Sequence, residues 1–179
     1  MIKNFTHIFD SNCRILHIAP EQGIEKRIRA NELADYYCGD ILKYRQTNRV
    51  DVTEICQFRD GTFDYIIINH VLEHIIDLET ALCELKRVLK KNGKIIMSFP
   101  ICTEMKTIEQ TKQITDEERI YFFGQKDHVR LFGYDYKEII EKHGLKVSVL
   151  SPKEKYSDEQ IEYYGFIKED IMLICEKSD

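Results

Sequence analysis

The run FDYIII at residues 63–68 constrains this chain more than any other feature. It is short, β-branched and almost wholly apolar, with Gly61-Thr62 before it and Asn69 after it. A strand with that composition is buried on both faces, as the central strand of a parallel sheet is. A sheet covered on both faces needs helices between its strands, and the rest of the chain supplies that alternation. A first strand reads at Arg14–Ile18, a helix follows to about Ala30, and a second strand covers residues 34–38. A short third strand reads at residues 50–52. The segment between Asp40 and Asp51 is too short for a full helix.

After the central strand, Leu78, Ala81, Leu82, Leu85, Val88 and Leu89 recur at helical spacing, which predicts a helix over residues 77–90 stopped by Asn92-Gly93. A fifth strand reads at residues 94–99. Residues 101–130 form a polar, charged insertion without strong periodicity, and residues 151–169 a second excursion. Asp135 and Glu138 read as a capping-box-like start of a helix that ends at Gly144. Residues 145–150 and 171–175 supply the last two strands as a hairpin. The sum is seven strands in one domain over residues 1–179, mainly parallel, with an antiparallel last strand.

Composition sets the context. With 43% hydrophobic and 32% charged residues the chain is an ordinary globular protein that needs neither disulfide nor metal to fold. Its net charge of -5 argues against a nucleic-acid partner. No apolar stretch reaches the length of a membrane helix, and the N-terminus lacks a signal-peptide core, so the cytoplasm is the expected location. The six cysteines, Cys13, Cys38, Cys56, Cys83, Cys102 and Cys175, include no C-x-x-C pair, and four sit in apolar patterns, as reduced core residues do. Oligomeric state is not readable.

In open α/β sheets ligands bind beyond the carboxyl ends of the strands. Asp40, ending the second strand, offers both carboxylate oxygens to a ribose; a turn after Gly39 would use it equally well. Asp51 could take an adenine amino group or cap a turn before Thr53. No G-x-G-x-x-G occurs anywhere, which argues against a dinucleotide pyrophosphate and hence against an NAD-type oxidoreductase. Only Gly23 follows the first strand closely, and Glu21 is placed to bind an ammonium.

The pieces ILHIAPE (residues 15–21), VDVTEI (50–55), FDYIIINHVLEHI (63–75), LKRVLKKNGKIIMSFP (85–100) and FGQKDHVRLFGYDY (123–136) together resemble the class I S-adenosylmethionine-dependent methyltransferases. They are most similar to a bacterial subgroup with an L-H-[IF]-A-P-E loop. The resemblance implies a Rossmann-like three-layer sandwich with strand order 3-2-1-4-5-7-6. It implies S-adenosylmethionine as cofactor, with Glu21 and Gly23 at its methionine part, Asp40 at the ribose and Asp51 near the adenine. His17, Ala19, Val52, Asn69 and His70 complete the expected lining. His17 also reads as a packed histidine, standing where an acid is usual.

The implied reaction is methyl transfer to a small polar acceptor, most simply a hydroxyl, with surface-polysaccharide or related metabolites as the acceptor class. A catalytically inactive fold serving as a binding or regulatory subunit is the alternative, because the loop after strand one is degenerate. His70, Glu73 and His74 have i, i+3, i+4 spacing and would share one face of a helical turn. They read either as local hydrogen bonding at a helix start or, with His128 as a fourth ligand, as a site for a divalent transition metal. His128, His70 and Arg130 are the expected catalytic residues, the histidines as bases and Arg130 as a fork for an acidic acceptor; an Asp127–Arg130 ion pair is the competing reading. Tyr121, Phe122 and Phe123 form an aromatic cluster suited to core or lid packing.

Overall fold

A computed structural model describes residue 2, residues 6–41 and residues 48–178. The expectation for the link between Asp40 and Asp51 falls largely on residues 42–47, outside the described residues. The main sheet consists of β1 (Arg14–Ile18), β2 (Asp35–Asp40), β3 (Asn48–Arg49), β4 (Phe63–Asn69), β5 (Leu89–Ser98), β9 (Leu145–Leu150) and β10 (Met172–Lys177). Its order is β3-β2-β1-β4-β5-β10-β9. Counting main-sheet strands alone, that is the expected 3-2-1-4-5-7-6. β10 runs antiparallel to both of its neighbours, and the other pairings are parallel.

Strand alternation divides the core in two. Leu16, Ile18, Ile66, Ile68, Ile95 and Met97 point to one face, where they pack with the buried face of α2 (Leu78–Val88) and with Ile140 of α4 (Tyr136–Glu141). Ile15, Ile67 and Ile96 point to the other, where Ile28 of α1 (Gln22–Arg29) joins Ile2 and Ile8. Successive residues of a strand face opposite ways, so continuous burial in β4 means a helix layer on each side.

Several local expectations shift. The helix expected to reach Lys90 ends at Val88, and Asn92-Gly93 lie inside β5. Gly61 and Thr62 donate to the carbonyls of Arg87 and Val88 at 2.9 and 2.8 Å, so the loop before β4 satisfies the helix end and Leu89 can pair with Phe63. The third strand lies at Asn48–Arg49, earlier than residues 50–52. Three cysteines are buried rather than four, since Cys83 and Cys56 are exposed and Cys102 is intermediate.

The insertion is ordered. It holds β6 (Ile101–Cys102), β7 (Ile108–Glu109) and α3 (Asp116–Phe123), the last closed by a Thr115/Glu118 capping box. β8 (Arg130–Gly133) then pairs between β6 and β7 in a small separate sheet. Gly133 is required there, because a Cβ would collide with the backbone at Lys106 and Thr107. Asp135 does not cap α4 with its side chain. Its Oδ1 accepts from the N–H and hydroxyl of Thr107 at 2.8 and 2.7 Å, tying the insertion to the next helix. The second excursion forms α5 (Pro152–Lys155) and α6 (Asp158–Tyr164). Among the described residues no helix is long and apolar enough to cross a membrane.

Candidate functional site

Among the described residues, two that are not glycine have positive φ: Ala19 at 48° and His70 at 52°. They sit just beyond the carboxyl ends of β1 and β4, which are adjacent strands. Each continues its sheet's bonding while it turns: Ala19 N–H donates to Gly39 O at 2.8 Å and His70 N–H to Ser98 O at 2.8 Å. A left-handed L-residue costs roughly 1–2 kcal/mol, and such residues gather at functional sites. Both mark one end of the sheet.

Between them lies a connected polar group. His17 has no solvent exposure, and its Nε2 is 2.7 Å from Glu21 Oε2 while its Nδ1 is 2.9 Å from the Tyr36 hydroxyl. Asn69 Nδ2 donates to Glu21 Oε1 at 2.8 Å, and Ser98 Oγ donates to Asn69 Oδ1 at 3.1 Å. Burial opposes ionisation of Glu21, but the hydrogen bonds from His17 and Asn69 prevail and hold its carboxyl below the usual range. The site is thus a fixed carboxylate, partly open to solvent, at the mouth between β1 and β4. Glu21 is also the residue before α1, yet it makes no side-chain cap because both oxygens are engaged elsewhere. Gly23, in the first turn of α1, faces open space.

Asp40 ends β2 half-buried, and its carbonyl accepts from Val50 N–H at 3.1 Å. Asp51 Oδ1 accepts from the N–H and hydroxyl of Thr53 at 2.9 and 2.6 Å, which holds its carboxyl below the usual range. That is the turn geometry weighed in the sequence. Val52 is buried beside it.

The HVLEH segment is not one helical turn. Only Leu72–His74 form a single 3-10 turn, and His70 lies before it in its left-handed conformation. His70 therefore stays outside the cluster that the other three form, although it touches one of them. Its exposed ring makes a 3.4 Å contact with Glu73 Oε1. Ligand-type atoms of Glu73, His74 and His128 do converge, all within 4.8 Å of one another.

Arg130 is buried, and its guanidinium is filled: Nε donates to Glu109 at 2.6 Å, Nη1 to Leu72 O and Ile75 O at 2.8 and 2.6 Å, and Nη2 to Ile76 O at 3.3 Å. Its partner acid is Glu109, not Asp127, and the fork clamps the 3-10 turn rather than facing outward. Asp127 instead lies 3.5 Å from His74 Nδ1. Of the aromatic cluster, Phe123 is buried, whereas Tyr121 and Phe122 are exposed. Sequence reasoning passed over Tyr36, Ser98 and Glu109. Each acquires its role through pairing across the sheet or between segments, for which no local pattern exists.

Residues 10–97 match the family described as methyltransferase domain. A 71-residue segment is 31% identical to the ubiquinone/menaquinone biosynthesis C-methyltransferase UbiE of Hahella chejuensis, spanning 40% of this chain and 27% of that protein. Among solved structures, a SAM dependent methyltransferase from Archaeoglobus fulgidus aligns with TM-score 0.62 and 16% identity, over 98% of this chain and 91% of that one. A putative sarcosine dimethylglycine methyltransferase from Galdieria sulphuraria aligns at 0.64 and 12%, over 99% and 83%. A Burkholderia thailandensis 1,6-didemethyltoxoflavin-N1-methyltransferase, solved with 1,6-didemethyltoxoflavin and S-adenosylhomocysteine bound, aligns at 0.59 and 12%, over 98% and 76%.

Proposed function

We propose that the chain is a class I S-adenosylmethionine-dependent methyltransferase, a reading that its matched domain and its fold support, and that it transfers the methyl group to a hydroxyl of a small polar acceptor. The observation that carries the donor side is the ionised Glu21, anchored by His17 and Asn69 at the carboxyl end of β1. A fixed carboxylate there suits the donor's ammonium. Asp40 suits the ribose hydroxyls, Asp51 and Val52 the adenine end, and the bare backbone at Ala19 and Gly23 a close approach of the chain to the ligand.

The chemistry is a direct displacement. The acceptor oxygen attacks the methyl carbon, the carbon–sulfur bond breaks, and its electron pair returns to sulfur, leaving S-adenosylhomocysteine. The acceptor proton must go to a base as the oxygen–carbon bond forms. His70 is our candidate, since it sits one residue past β4 with its ring in solvent. A hydrogen bond to Glu73 raises its pKa above the ordinary histidine value, which strengthens it as a base. Arg130 supports this reading as a positioning residue. The ordered segments at residues 101–130 and 151–169 would furnish the acceptor pocket.

Calorimetry tests the donor side. S-adenosylhomocysteine should bind and NAD should not. Asp40→Ala should weaken S-adenosylhomocysteine by about 1.5–3 kcal/mol, the usual worth of hydrogen bonds to a charged group. Tight NAD binding with no response to S-adenosylhomocysteine would overturn the reading. Donor binding without transfer to any hydroxyl acceptor would favour the alternative, a binding or regulatory subunit.

A further inference from the structure

We propose that Glu73, His74 and His128 form a binding site for a single divalent transition-metal ion. The argument concerns which atoms carry protons. His128 Nδ1 lies 3.0 Å from the carbonyl of Phe123, and His74 Nδ1 lies 3.1 Å from the carbonyl of Asp127. A carbonyl only accepts, so in each ring Nδ1 carries a proton and Nε2 is the nitrogen left to bind an ion. Glu73 is 1% exposed, and its Oε2 has no hydrogen-bond partner. Its other oxygen, Oε1, lies 3.4 Å from Nδ1 of His70. Three groups that can each offer a ligand atom therefore meet in one place, those atoms within 4.8 Å of one another. A buried unpaired carboxylate oxygen is costly, and a cation shared with the two rings would supply its missing partner.

The surroundings are those of a metal site. Imidazole ligands characteristically donate their second ring N–H to a carbonyl or carboxylate, and both rings here do so. The scaffold is fixed as well. Val129 N–H donates to Glu73 O at 2.9 Å, and Arg130 grips Leu72 O and Ile75 O on either side of the turn. The segment bearing His128 and the turn bearing Glu73 and His74 are thus held together by backbone bonds, and the two histidine rings meet edge to face at 4.7 Å. His74 keeps 31% of its side chain exposed, which gives an ion a path from solvent.

Two imidazoles and a carboxylate select zinc or a neighbouring first-row ion over magnesium or calcium. Bonds of about 2.0–2.1 Å to a tetrahedral ion put ligand atoms roughly 3.4 Å apart, so the three groups close slightly around it. At least one coordination position stays open. On the proposed methyl-transfer reading that position would take an acceptor oxygen, because the turn follows β4 directly. Ion binding itself does not depend on that reading.

The test uses the full chain without a histidine tag, in a Cys56→Ser, Cys83→Ser background because both thiols are exposed. Chelator-stripped protein is titrated with Zn²⁺ by calorimetry and with Co²⁺ by visible absorption, and S-adenosylhomocysteine binding is measured on the same samples. One equivalent should bind, with Co²⁺ bands of a nitrogen- and oxygen-ligated ion. His74→Ala, on the partly exposed rim, should weaken the ion at least about 100-fold while the protein stays folded. Glu73→Gln and His128→Ala should do the same, and His7→Ala, a surface histidine, should change nothing. Absence of stoichiometric binding in the parent protein overturns the site. So does binding that His74→Ala leaves intact. Loss of S-adenosylhomocysteine binding alone would count against the methyltransferase reading and not against the ion.

Discussion

A carboxylate accepts hydrogen bonds and donates none, and at Glu21 that fact orients four side chains. Nε2 of His17 must carry the proton that reaches Glu21, so Nδ1 accepts from the Tyr36 hydroxyl. Burial pushes the Tyr36 phenol up, which keeps it a donor. Asn69 must present its amide N–H to Glu21 and therefore its oxygen to Ser98. The whole group thus points its protons toward one carboxylate. That carboxylate titrates below its ordinary value in the folded protein, so on acidification the unfolded chain takes the proton first. The resulting stabilisation is complete above the unfolded pKa of about 4.3 and is lost as pH falls through the lower, folded value. Glu21→Gln should flatten this acid limb while leaving the neutral-pH curve parallel to that of the parent. Urea midpoints measured from about pH 3 to pH 6 read the slope. An unchanged slope would mean the carboxylate's bonds do not form.

At the scale of elements, Arg130 shows how a motif can be seen and its duty mistaken. D-H-x-R is plain in the sequence, and an arginine after a histidine suggests an anion fork. The fold spends that fork on three carbonyls of residues 72–76 and on Glu109. Arg130→Met should therefore destabilise the protein by about 2–4 kcal/mol, since buried carbonyls left unpaired cost about 1–3 kcal/mol each and some recover water. Arg130→Lys should recover little, because a point ammonium does not match the fork. Chemical denaturation checks both, and a stability loss under about 0.5 kcal/mol, the range of ordinary surface changes, would rule out the clamp. The same distinction explains what was legible. β1, β4 and the buried face of α2 follow from periods of 2 and 3.6 residues, which are local. The order of residues 101–133 was not legible, because β6 and β7 have two residues each and exist only through β8. The end of α2 depended on Gly61 and Thr62, about 26 residues away in sequence. At the site, the positions Glu21, Asn69, Glu73, His74 and His128 were legible. Their grouping was not, because an i, i+3, i+4 argument presumes a helix and His70 adopts φ of 52° instead.

For the molecule as a whole, the two ends of the sheet differ in chemistry. Strained backbone, the Glu21 group and the Glu73–His74–His128 cluster all lie beyond the carboxyl ends of β1 and β4 or on the insertion docked there. The opposite end is closed by loop-to-helix and loop-to-strand bonds such as Gly61 N–H to Arg87 O and Asp35 N–H to Cys13 O. Local openings at the two ends are separate events, and a ligand slows only those openings that destroy its own site. With S-adenosylhomocysteine at 100 times its dissociation constant, such openings are suppressed by up to about 100-fold, equivalent to about 2.7 kcal/mol. Hydrogen exchange read by mass spectrometry should therefore show strong slowing in peptides that contain Ala19 and His70, whose amides bond across to Gly39 and Ser98. The slowing should extend to the peptide holding Val129, because its amide bonds to Glu73 and Arg130 grips the same turn. Peptides over residues 55–62, at the amino end of β4, should exchange as they do without ligand unless they open only by global unfolding. Slowing confined to the amino ends would put the donor on the wrong side of the sheet. Slowing at Ala19 and His70 that stops short of Val129 would mean the insertion moves independently of the donor site, against the rigid link that Arg130 and the Val129 amide form.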